Sequence, residues 1–100
     1  MLVHTVVFWL KPELTEAQRA EFVSALEALR EVPSVGKFYL GTPAEGVAAR
    51  PVVDKTFDYS ITCLFDDIKA HDAYQVHPLH VAFVEQGKPK WTRVQIYDAD

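Results

Sequence analysis

The run LVHTVVFWL at residues 2–10 constrains the fold more tightly than any other stretch. It is rich in Val, Phe and Trp and stops at Lys11-Pro12, where proline removes a backbone donor, so it reads as a β-strand. Successive side chains alternate across a strand. One face therefore carries His4, Val6, Phe8 and Leu10, and the other Val3, Thr5, Val7 and Trp9. A sheet wetted on one side shows a polar set there, and neither face does so here. Each face of this strand needs a cover.

The remaining periodicities say what the covers are. Thr15 with Gln18 three residues later forms a capping box that opens a helix running to about Val32. Its apolar stripe is Phe22, Leu26 and Leu29, flanked by Ala25 and Val32, with Glu16, Arg19, Glu27 and Arg30 elsewhere on its surface. Pro33 and Gly36 bracket its end, and residues 35–41 form a second strand closed by Gly41. Between Gly41 and Thr56 lie two prolines, Gly46 and small residues, a loop long enough to act as a lid. FDYSITCLF at 57–65 alternates as a third strand, with Phe57, Tyr59, Ile61, Cys63 and Phe65 on one face and Asp58, Ser60, Thr62 and Leu64 on the other. Asp66 or Asp67 caps a helix from Ile68 to about Val76. Pro78 breaks it and starts a second short helix to about Gln86. Residues 92–98 alternate as the last strand.

The order β-α-β-β-α-β, with no repeat and no linker, predicts one domain over residues 1–100 in the α+β class. Its architecture is ferredoxin-like, a four-stranded antiparallel sheet with helices on one face. The far face, with Val7 and Trp9, is too apolar to be left wet. Packing two such sheets face to face would bury it and predicts a homodimer. Self-association also suits a 100-residue chain, which buries a smaller share of its surface than a large one.

The formal charge is −4 and the ten Lys and Arg are scattered, so there is no basic stripe and nucleic-acid binding is not expected. The N-terminal apolar run lacks a preceding basic segment, contains His4 and is too short to span a bilayer, so neither a signal nor a membrane anchor is expected. The lone Cys63 excludes a disulfide framework and a cysteine zinc cluster, and fits a reducing, cytoplasmic setting. It sits mid-strand among apolar neighbours with no basic residue to activate it, as an inert core thiol does. The patterns GxGxxG, GxxxxGK[ST] and GxSxG are missing, so no cofactor is expected.

AYQVHPLHVAF at 73–83 carries the chemistry. His77 and His80 have a spacing that one helical face can turn into a metal site, but Pro78 between them breaks the helix and only Asp72 stands near as a third ligand, so no metal is expected. As an acid–base set the residues suffice: His80 titrates near neutrality, Tyr74 is a phenolic donor, and a sheet histidine can orient a carbonyl. An aldol-type ring closure needs such a base and such a donor. The structural alternative is that His77 caps a helix, His80 bonds a core carbonyl and Tyr74 is a core aromatic. His4 stands on an otherwise apolar strand face and needs a hydrogen bond or a wet cavity, where Tyr59 of the third strand is a candidate neighbour. Trp9 and Trp91 read as interface or core anchors. Arg50 and Lys55 in the long loop can meet an anion, though solvated charge is the commoner explanation.

In VHTVVFWLKP, in the Gly41 strand end and above all in Tyr74, His77, Pro78, His80 and Phe83, the chain resembles the stress-responsive dimeric α/β-barrel (Dabb) family over nearly its whole length. The resemblance implies a protomer whose sheet joins its twin's to form a barrel. Members include stress-induced plant proteins, bacterial proteins with no assigned reaction, and a plant polyketide cyclase. In the cyclase-type member a strand-1 histidine, the motif tyrosine and the second motif histidine serve a pocket between sheet and helices. These match His4, Tyr74 and His80. The resulting expectation is a homodimer that binds a small organic molecule among His4, Tyr59, Phe8 and Phe83, with His80 as base and Tyr74 as donor. The alternatives are a non-catalytic, stress-related interaction module and a cofactor-independent monooxygenase, since related dimeric barrels include such enzymes.

Overall fold

A computed structural model describes all of residues 1–100. The elements in chain order are β1 (Leu2–Leu10), α1 (Glu16–Ala28), β2 (Lys37–Gly41), β3 (Tyr59–Phe65), α2 (Ile68–Gln75), α3 (Pro78–Gly87) and β4 (Trp91–Ala99). Short 3-10 turns follow α1 and α3. The sheet order is β2-β3-β1-β4 with every neighbouring pair antiparallel, the ferredoxin-like arrangement.

β1 lies between β3 and β4, so its backbone is bonded on both edges. Its helix-side face, Leu2, His4, Val6, Phe8 and Leu10, is buried, as are Ile61, Cys63 and Phe65 of β3. Phe22, Leu26 and Leu29 close the core from above. Aromatic rings knit the two layers: Phe8 meets Phe22 with centroids 5.4 Å apart, Phe83 at 5.6 Å and Trp91 at 5.7 Å. Each such pair adds about 0.5–1.5 kcal/mol beyond its buried area.

The caps form as the sequence dictates. Thr15 and Gln18 bond reciprocally, and the Asp67 carboxylate, rather than that of Asp66, accepts from the Ala70 N–H at 2.8 Å. α1 is shorter than its pattern. Near Pro33 the Val32 N–H turns to the Leu29 carbonyl, tightening residues 29–31 into a 3-10 turn. β3 begins at Tyr59 rather than at Phe57, because Asp58 is spent on a different task. Its carboxylate accepts from the Leu10 N–H at 2.7 Å and from Arg19 at 3.4 Å, and its own N–H donates to the Phe8 carbonyl.

The loop after β2 is not a lid on the helix side. The Trp9 indole N–H donates to the Thr56 hydroxyl at 2.8 Å, and Asp54 and Phe57 border a shallow depression with Val7, Trp9 and Tyr97. The loop is drawn by Trp9 onto the far sheet face, where Arg93 also stacks on that indole at 4.4 Å. Lys55 bonds the Val47 carbonyl within the loop, and Arg50 is exposed. Tyr39 and Tyr97 remain exposed on the same far face.

Asp58→Ala is expected to lower the stability read by urea unfolding by about 1–3 kcal/mol, since it removes a charged acceptor from a strand-end N–H. Glu27→Ala, which breaks only an exposed pair with Arg30, is expected to cost less than about 0.5 kcal/mol.

Candidate functional site

A cavity of about 180 Å³ lies between β1 and β4 below and α2 and α3 above. Val6, Phe8, Phe83, Val84, Trp91 and Val94 supply apolar walls, and the half-exposed Ile96 stands at its mouth. The polar groups on its lining are His4, Tyr74, Gln75 and His80.

Each polar group has a definite state. Pro78 ends α2, and the His77 side chain caps α3 by accepting from the Leu79 N–H at 3.1 Å, the structural role. One turn later His80 faces back toward α2. Its Nδ1–H donates to the Gln75 carbonyl at 3.0 Å, leaving Nε2 as the basic atom. Burial holds the His80 pKa below the usual histidine value, against the pull of the Gln75 carbonyl, and the nearby His4 and His71 push the same way as burial. The ring is therefore a neutral imidazole near pH 7.

Tyr74 packs on His80 with centroids 4.6 Å apart. Burial drives its phenol well above the usual range, and the neighbouring Cys63 thiol adds to the effect. Tyr74 thus stays protonated, with a hydroxyl hydrogen to donate. Burial pushes Cys63 itself up to about 12, which makes it an inert thiol.

His4 is 2% exposed and finds its partner in Asp98, whose carboxylate bonds Nδ1. Left alone, a buried polar group of this kind costs about 1–3 kcal/mol. The antiparallel register sets His4 directly opposite Asp98, so strand pairing itself brings the acid to the histidine.

The fold thus brings together His4, Phe8, Tyr74, His80 and Phe83. Tyr59, the remaining expected member, is not on the lining. It lies on β3 opposite Phe8, on the side that α1 covers, and its ring packs against Phe22 with centroids 6.0 Å apart. Two residues escaped the sequence reading. Asp98 follows Val94 and Ile96 at strand spacing, but only the β1–β4 register shows that it faces His4. His71 stands one helical turn before Tyr74, a spacing that places both on one face, and its ring lies 5.0 Å from that of His4.

The chain is similar over nearly its whole length to several known proteins. Olivetolic acid cyclase of Cannabis sativa is 24% identical over 96 residues, spanning 95% of this chain and 91% of the cyclase. A ferredoxin-like Dabb family protein of Mesorhizobium loti superposes with a TM-score of 0.77 at 28% identity, over 99% of this chain and 94% of its own. A dimeric ferredoxin-like protein of unknown function from Thermobifida fusca superposes at 0.78 with 22% identity, over 98% and 88%. No helix is long and apolar enough to cross a membrane. The family model of the stress responsive A/B barrel domain matches residues 2–100, and the chain belongs to that family.

Proposed function

We propose that the chain binds a small, largely apolar organic molecule in this cavity and processes it by acid–base chemistry that needs no cofactor, with His80 as base and Tyr74 as donor. The observation that carries this reading is the state of His80: its Nδ1–H is spent on Gln75, its ring is neutral, and it lines an apolar cavity beside a phenol that stays protonated. A neutral imidazole can take a proton from the carbon beside a carbonyl. The Tyr74 hydroxyl can then donate to the enolate oxygen as charge develops there. Its present neighbour Cys63 is a weak acceptor, so a substrate oxygen competes with it easily. His4, its Nδ1 held by Asp98, orients the carbonyl from the sheet side, while Phe8 and Phe83 hold the apolar part.

Size narrows the substrate class. A cavity of about 150 Å³ holds benzene, so the 180 Å³ here accommodates one ring with short substituents, and a longer chain would leave past Ile96. The similarity to a cyclase favours an enolisable carbonyl compound that closes or has closed a ring.

A non-catalytic module is the second reading, favoured by the fact that His80, His77 and His4 each already have a partner within the fold. The homodimer is part of the proposal as well. Val7, Trp9 and Leu64 remain only half-buried on the far sheet face, Tyr39 and Tyr97 are exposed there, and the Thermobifida fusca relative is dimeric. A cytoplasmic setting accords with the single buried thiol.

Three measurements test these statements. Deuterium uptake into an enolisable aryl ketone, followed by NMR, is expected to fall about a hundredfold or more in His80→Ala. Unchanged exchange would remove His80 from the base role. A fall in melting temperature with an unaltered ligand response would support the non-catalytic reading. A depressed folded-state pKa means that His80 binds its proton more readily in the unfolded chain. Stability should therefore be intact above about pH 6.5 and lost as pH falls below it, with a steeper fall in melting temperature than in His80→Asn. Val7→Glu or Trp9→Glu is expected to give monomer or insoluble protein by light scattering. A well-behaved monomer from the unaltered chain would overturn the dimer.

A further inference from the structure

We propose that His4, His71 and Asp98 form a binding site for a divalent transition-metal ion, zinc foremost, beside the cavity. One nitrogen of each histidine and one carboxylate oxygen lie within 4.8 Å of one another, brought together from β1, α2 and β4. Two imidazoles and a carboxylate are a donor set that zinc takes in three-ligand sites, leaving further positions for water.

The surroundings favour an ion over a chance cluster. Asp72 lies 3.2 Å from His71 Nδ1, the kind of carboxylate–histidine pairing that orients a ligating imidazole. This fixes the proton on Nδ1 and leaves Nε2 as the donor atom, now approached only by the Gln75 side-chain amide at 3.1 Å. Phe65 packs edge-on against both histidine rings, at 6.0 Å from His4 and 5.5 Å from His71, and forms an apolar wall that holds them.

The reach is small. Zinc–nitrogen and zinc–oxygen bonds of about 2.0–2.2 Å put neighbouring donors somewhat over 3 Å apart. His71 and Asp98 side chains are 16% and 41% exposed, so both can close that gap by rotation and the ion has a path in from solvent. His4, at 3%, is the fixed member. On binding, the ion takes the place of the proton in the His4–Asp98 hydrogen bond, and that proton leaves to solvent. His80 and Tyr74 are not ligands. The site shares only His4 with the proposed acid–base site and goes beyond that chemistry, and its test reads no turnover.

The test uses the full chain, stripped with chelator, titrated with zinc by calorimetry and with cobalt(II) by visible absorption. One ion per chain, a rise in melting temperature and cobalt bands are expected. Asp72→Ala should weaken zinc binding about tenfold, with His71→Ala and Asp98→Asn weakening it further, while His77→Ala binds as the unaltered chain does. His71→Asn keeps a polar side chain should His71→Ala fold poorly. Zinc binding that survives in both His71→Asn and Asp98→Asn, or that disappears in His77→Ala, or no binding by the unaltered chain, overturns the proposal.

Discussion

The need to cover one strand on both of its faces organises this molecule. β1 has hydrogen-bonding neighbours on each edge, a buried face under the helices and a half-buried, largely apolar face on the other side, so wetting either face costs free energy. The helices answer on one side with Phe22, Leu26, Leu29 and Phe83. On the other, the chain supplies only a partial answer, the Asp54–Phe57 stretch laid over Val7 and Trp9. What remains uncovered there is the surface that the proposed dimer would close.

A buried histidine on that strand is then the residue around which the polar chemistry gathers. His4 requires an acid, and Asp98 is delivered by register. Rings of Phe65, His71 and Tyr74 surround it edge-on. The cavity is the place where helix packing stops short of β1 and β4, and its polar lining consists of groups that could not be buried without partners of their own.

Much of this was legible in the sequence, for local reasons. The two-faced strand, the capping box at Thr15, the helix break at Pro78 and the pairing of Tyr74 with His80 are all set within a few residues of chain. Misreadings arose where a side chain is spent across the fold. Asp58 leaves the alternation of FDYSITCLF because Leu10 and Arg19 claim its carboxylate. Tyr59 shares the face of Cys63 yet packs under α1, since sharing a face does not specify which helix lies above. His71 and Asp98 were invisible as partners of His4 because neither strand register nor helix placement is written in spacing.

The interruption between α2 and α3 has a further effect. In a continuous helix the Leu79 N–H would bond the Gln75 carbonyl. Here that N–H is held by the His77 ring, so the Gln75 carbonyl is free to receive His80. The tautomer of the proposed base is thus dictated by a helix defect rather than by the cavity wall. Residues 76–79 would then act as a tuning element for the proposed base, and substitutions there would adjust its basicity while leaving the shape of the cavity unchanged.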